Sequence, residues 1–123
     1  MPAPRTVLVV DDSEPHRRLL ELVLHAHRYE VEAVADGESA LAFLQRATPD
    51  AIILDVQMPG LSGLDVAARV RRLQRLRHVP ILFMTSHASD EVRAAAARCG
   101  ALDVLAKPIA GTDLRSRLAT LFA

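Results

Sequence analysis

The apolar positions of this chain fall into short runs separated by longer mixed segments. Runs of Val, Ile and Leu occur at Val7–Val10, Val31–Val34, Ile52–Leu54, Ile81–Met84 and Val104–Leu105. Such short, continuous runs rich in β-branched residues predict strands covered on both faces. The segments between them have helix length: Glu14–His27, Glu38–Gln45, Leu64–Leu76, Asp90–Cys99 and Thr112–Phe122. A strand followed by a helix, repeated five times, demands a parallel sheet with right-handed crossovers and helices on both faces. The expected fold class is therefore α/β, a doubly wound five-stranded sheet in a three-layer sandwich. Ser13 with Pro15, Asp36-Gly37, Thr48-Pro49-Asp50 and Gly100 supply helix starts, turns and a helix stop at the expected boundaries.

Composition changes this picture little. Residues 1–123 are half hydrophobic, enough for one core and one domain. Fifteen basic and fifteen acidic side chains cancel, so no overall field draws the chain to nucleic acid or an anionic membrane. "VLVV" is too short for a signal-peptide core or a membrane span, and a soluble cytoplasmic protein is expected. The single cysteine, Cys99, has no disulfide partner in the chain and reads as a small buried hydrophobe.

The register concentrates polar chemistry at one edge of the sheet. Asp11 and Asp12 follow the first strand, Asp55 closes the third, Thr85 the fourth, and Lys107 lies just past the fifth. Binding sites in such sheets lie at the carboxyl ends of strands. Three carboxylates gathered there repel one another unless a cation sits among them, and an all-oxygen set suits Mg²⁺. Lys107 adds a point charge and Thr85 a hydroxyl, the parts that stabilise a transferring phosphoryl group, with Asp55 as nucleophile. Singly, each residue has a plainer reading: the acid pair as a helix cap, Thr85 as a turn cap, Lys107 as a solvated lysine. Their joint placement favours the site.

The motifs "VLVVDDSE", "IILDVQMPGLSG", "PILFMTSH" and "GALDVLAKPI" closely resemble the receiver domain of bacterial two-component response regulators, over essentially the whole chain. The resemblance implies a flavodoxin-like (βα)5 fold. It implies a phosphoacceptor, not an enzyme acting on an external substrate, in which Asp55 takes a phosphoryl group from a phosphohistidine on a sensor histidine kinase or a histidine phosphotransfer protein. It further implies Mg²⁺ held by Asp12, Asp55 and the Gln57 carbonyl, with Asp11 acting through water. Lys107 would pair with Asp55 at rest and with a phosphoryl oxygen afterwards, and Thr85 would bond another. Lys107-Pro108 would be cis, Gly60 and Gly63 would shape the neighbouring loop, and Gln57 and His87 would flank the path of an attacking water. The first helix would line the docking surface for the kinase. One departure concerns the position three before the lysine, usually Tyr or Phe. Here it is Val104, which has neither ring nor hydroxyl, so the usual aromatic relay is not expected.

Other functions are disfavoured locally. An aspartyl phosphohydrolase of the haloacid-dehalogenase type wants a second acid two residues after the nucleophile, where this chain has Gln57. A flavin or dinucleotide binder wants a phosphate-cradling loop after the first strand, where "DDSEP" would repel phosphate. A phosphorylation-independent pseudo-receiver would not need the intact acidic set and Lys107. Arg69, Arg71, Arg72, Arg75 and Arg77 read as a solvated outer face, with an acidic partner or a weak nucleic-acid contact as the alternative. No aromatic residues interleave them to suggest single-stranded nucleic acid binding. His16, His25 and His27 read as ordinary helix residues.

Overall fold

A computed structural model describes residues 3–123. The elements run β1 (Thr6–Val10), α1 (Glu14–Ala26), β2 (Glu30–Val34), α2 (Gly37–Arg46), β3 (Ala51–Asp55), α3 (Gly63–Arg72), β4 (Ile81–Thr85), α4 (Asp90–Arg98), β5 (Asp103–Ala106) and α5 (Gly111–Leu121). All strand pairs are parallel, in the order β2-β1-β3-β4-β5. This is the expected doubly wound (βα)5 sandwich.

The strand pleat divides the core in two. Leu8, Val10, Ile52, Leu54, Ile81, Phe83 and Val104 pack on one face with Ala40, Phe43 and Leu44 of α2, Val66 and Val70 of α3, and Ala96 of α4. Val7, Val9, Ile53, Leu82, Met84 and Leu105 pack on the other with Leu20 and Leu24 of α1 and Leu114 and Leu118 of α5. Period-two alternation along each strand thus feeds two separate layers of apolar side chains. Each fully buried Val, Leu or Ile contributes about 1.5–3 kcal/mol relative to exposure.

Two expectations need adjusting. β2 is an edge strand whose residues are exposed or half-buried, so coverage on both faces holds for β1, β3 and β4 and not for it. The third helix stops at Arg72, and Gln74–Leu76 forms a separate 3-10 turn. Leu73 between them is extended, and the turn carries Leu76 into the core. The apolar spacing of Leu73 and Leu76 continues the helical pattern across a real break.

Candidate functional site

The strand order reverses between β1 and β3, and the crevice outside their carboxyl ends is where such sheets hold ligands. β1 delivers Asp11 and Asp12 to it, and β3 delivers Asp55. Asp11 and Asp55 are buried while Asp12 is exposed. One carboxylate oxygen from each of the three lies within 4.8 Å of the others. Lys107, reaching in from the loop after β5, donates from Nζ to Asp55 Oδ2 at 2.9 Å and to Asp11 Oδ1 at 3.0 Å. The sequence reading paired Lys107 with Asp55 alone; the structure makes it a bridge between two acids.

The loops that hold these groups are locally encoded. After Asp55 the chain turns sharply, with Gly60 at φ +78°, a left-handed conformation that side chains disfavour. Ser62 and Asp65 then form a reciprocal capping box at the start of α3. Gly63 lies so close to β3 that a Cβ there would stand 2.1 Å from the Asp55 carbonyl oxygen. Only glycine lets α3 begin against the backbone of Asp55, with its N–H donating to Val56 O at 2.9 Å. The Gln57 N–H donates to Asp55 Oδ1 at 3.2 Å, while the Gln57 side chain is exposed. The Lys107-Pro108 bond is cis, as the resemblance implied.

Burial and pairing set the charges. Burial pushes the Asp55 carboxyl up to about 6, against the opposing effect of Lys107 and the Gln57 N–H. Burial also works to raise Asp11, but hydrogen bonds from His16, Ser13 and Lys107 outweigh it and hold that carboxyl below its ordinary value. Burial works to lower Lys107, and its bonds to Asp55 and Asp11 more than reverse this. The resting site is one firmly ionised acid, one costly acid and one cation between them.

Thr85 closes β4 fully buried. Its Oγ1 accepts the His87 N–H at 3.1 Å, which is the turn-capping bond of the plainer reading. That bond uses an acceptor site of the hydroxyl and leaves its O–H free to donate. His87 itself is exposed. Val104 is buried on β5 beside Phe83 of β4.

Three residues were misread in the sequence. His16 is not an ordinary helix residue: it is buried, its Nδ1 bonds Asp11 Oδ2, and its Nε2 accepts the Ile109 N–H at 3.3 Å. Arg71 is not part of a solvated face. Its guanidinium donates to the carbonyls of Cys99 (2.9 Å), Arg77 (2.9 Å), Val79 (2.7 Å) and Gly100 (3.3 Å), closing the end of α4 onto the chain before β4. Arg75 stays exposed, as expected, and also reaches the carbonyls of Leu44 and Ala47 and the Thr48 hydroxyl past the end of α2. Both arginines serve carbonyls left open where helices end. Cys99 is half-buried, not buried, and Arg17 donates to the Asp11 carbonyl at 2.7 Å. An i, i+5 spacing from Asp11 to His16, across a strand end and a helix start, has no period that a pattern search would detect.

A sequence-family model of the response regulator receiver domain matches residues 7–119. The chain belongs to this family. Receivers are the signalling phosphoacceptors of two-component systems. Among curated relatives, the response regulator PleD of Caulobacter vibrioides is 41% identical over 115 residues, covering 94% of this chain and 25% of PleD. The cyclic di-GMP phosphodiesterase response regulator RpfG of Xanthomonas campestris pv. campestris is 35% identical, covering 94% of this chain and 31% of RpfG. This receiver thus spans about a quarter to a third of those two relatives. Among solved structures, chemotaxis protein CheY4 of Vibrio cholerae is 37% identical with a TM-score of 0.92, covering 96% of this chain and 98% of that one. The receiver domain of the sensor histidine kinase PA1611 from Pseudomonas aeruginosa PAO1 is 32% identical, with a TM-score of 0.86 and coverage of 94% and 95%. It was solved with a magnesium ion coordinated in its active-site cleft. No helix of the described residues is long and apolar enough to cross a membrane.

Proposed function

We propose that this receiver, a single domain over residues 1–123, accepts a phosphoryl group on Asp55 from a phosphohistidine of a sensor histidine kinase or histidine phosphotransfer protein, in a Mg²⁺-dependent reaction. The observation that carries the reading is the Lys107 bridge between Asp55 and Asp11 beside the open carboxylate of Asp12. The three oxygens fit a small hard cation: they are close enough to share one ion, and Asp12 keeps the cluster open to solvent. Asp12, Asp55 and the Gln57 carbonyl would hold the ion, with Asp11 acting through water. When bound, Mg²⁺ supplies charge that neutralises the acids and phosphoryl oxygens.

The remaining chemistry belongs to the chain. An Asp55 carboxylate oxygen attacks phosphorus, an O–P bond forms, the P–N bond of the phosphohistidine breaks, and the imidazole leaves with its electron pair. Lys107 shifts from the Asp55 carboxylate to a phosphoryl oxygen, which lowers the cost of charge gathering there. The free O–H of Thr85 donates to another oxygen, drawing in the loop Ser86 to Asp90. The signal then leaves by conformational change or onward phosphotransfer. Catalysis is confined to the domain's own phosphorylation and slow dephosphorylation. Incubation with Mg²⁺ and acetyl phosphate tests the proposal by intact-mass analysis. One added phosphoryl group that needs the metal and is lost in Asp55→Asn is expected; modification of Asp55→Asn at the parent rate would overturn it.

A further inference from the structure

His16 is the buried titratable side chain that the phosphoryl chemistry does not use. It stands on the first turn of α1, and its ring joins two parts of the site that come from distant stretches of chain. Nδ1 bonds Asp11 Oδ2, while Nε2 accepts the N–H of Ile109, two residues past Lys107. A backbone N–H can only donate, so Nε2 must present its lone pair and the proton must sit on Nδ1. The ring is therefore a neutral imidazole of fixed tautomer, donating to the acid and accepting from the loop.

We propose that His16 is a positioning residue that sets both Asp11 and the Lys107 loop for the phosphoryl reaction; this rests on the function proposed above. By occupying Oδ2, His16 turns Oδ1 of Asp11 toward Lys107, where it also accepts the Ser13 N–H at 2.9 Å. A carboxylate oriented in this way presents one defined oxygen to the cluster. By accepting from Ile109, the same ring anchors the segment that follows the lysine, in the loop whose Lys107 N–H donates to Thr85 O at 2.8 Å. The two bonds make separable contributions. The Asp11 bond governs how well the acids hold a divalent cation, because partners behind a ligand fix its direction. The Ile109 bond governs where Lys107 Nζ stands when charge develops on the phosphoryl group.

Side-chain geometry allows the two to be cut independently. An Asn amide nitrogen falls near Nδ1 of His, and a Gln carbonyl oxygen falls near Nε2. His16→Asn thus keeps the donor to Asp11 and loses the acceptor for Ile109, whereas His16→Gln does the reverse; His16→Leu loses both. Mg²⁺ affinity, read by calorimetry, and the phosphorylation rate at saturating Mg²⁺ and acetyl phosphate are measured for all three and the parent. His16→Asn should bind Mg²⁺ within about 2-fold of the parent but react about 10-fold more slowly. His16→Gln should bind Mg²⁺ about 10-fold more weakly yet react near the parent rate once saturated. His16→Leu should lose both, and if it fails to fold, the Asn and Gln variants carry the comparison. Any other pattern, including equal losses in the Asn and Gln variants or none in any, overturns the proposal. Imidazole ¹⁵N spectra of the parent give a readout independent of activity: Nδ1 proton-bearing and Nε2 bare is expected, and the opposite tautomer overturns the geometry. A parent that binds no Mg²⁺ and takes no phosphoryl group would sink the proposed function, while those spectra would still decide the placement of His16.

Discussion

Replacing Asp55 by Asn should stabilise the metal-free domain at neutral pH. Asn matches the neutral acid in shape, so the substitution removes the charge and keeps the packing. The Asp55 carboxyl is raised from 3.8 to about 6, with burial as the main cause and Lys107 only partly compensating. Fully converted, that gap corresponds to about 3 kcal/mol favouring the protonated form in the folded state. The site opens to solvent beside Asp12, and screening there reduces the figure to about 1–2 kcal/mol. In a domain of this size that is a rise in Tm of about 4–8 °C.

The pH dependence fixes the sign. The folded state binds the Asp55 proton more tightly than the unfolded chain, so the parent gains stability as pH falls through about 6 and has the full gain below about 3.8. The difference between Asp55→Asn and parent should therefore be largest above pH 7 and shrink toward zero near pH 4. Asp11 is shifted the opposite way and loses its contribution only below its ordinary value of 3.8, and Lys107 is raised and loses its contribution only well above neutrality. Between those limits the difference reports Asp55. Urea denaturation in chelator-treated buffer from pH 4 to 8 measures it. Saturating Mg²⁺ should reverse the order at pH 7, because the parent binds the ion in its folded state and the variant lacks a ligand. A metal-free Asp55→Asn that is less stable than the parent at pH 7 would mean that the Lys107 bridge outweighs burial, and would refute this account of the charges.

Lys107→Ala should bind Mg²⁺ at least as tightly as the parent, since it removes a cation and no ligand, yet phosphorylate about 10²-fold more slowly; calorimetry with intact-mass kinetics would show it, and an unchanged rate would count against Lys107. Arg71→Ala strips partners from carbonyls at the end of α4 and before β4 and should cost about 1–3 kcal/mol in urea denaturation, while Arg72→Ala on the exposed side of α3 should cost little. Val104 packs against Phe83 beside a shallow 170 Å³ depression lined partly by Ala96 and Ala97, with no ring to swing inward. A beryllofluoride mimic at Asp55 should therefore shift amide resonances of Asp11, Asp12, Asp55 and Ser86 to Asp90, and equally large shifts at Val104 and extending across β5 to Leu114 and Leu118 of α5 would refute that confinement.

The strands and their alternation with helices were legible because burial on both faces leaves a continuous apolar run, and β1, β3 and β4 are such runs. The start of α1 was legible because Ser13 caps the backbone N–H three residues on; Asp36, Ser62 and Ser89 cap α2, α3 and α4 in the same way, a signal the sequence reading left unused. The break at Leu73 was not, because its extended backbone leaves no mark on apolar spacing. Edge exposure of β2 was equally hidden: Val31 and Val34 read like core residues, and only the strand order puts them at the margin.

The acids and the lysine could be placed from sequence because each stands at a fixed offset from a strand end, and strand ends are what apolar runs define. Asp11 and Lys107 meet across 96 positions for that reason. Side chains that act on backbone leave no such trace. Arg71 was counted among exposed charges because its sequence neighbours are charged, but its partners are carbonyls whose positions depend on how α3, α4 and β4 stack. His16 was passed over for the same reason. The group it donates to is an acid already assigned elsewhere, and its acceptor role is toward an Ile109 N–H that any residue there would offer. The residues that receive charge announce themselves by type, whereas those that aim them are recognisable only once the backbone they hold has been placed.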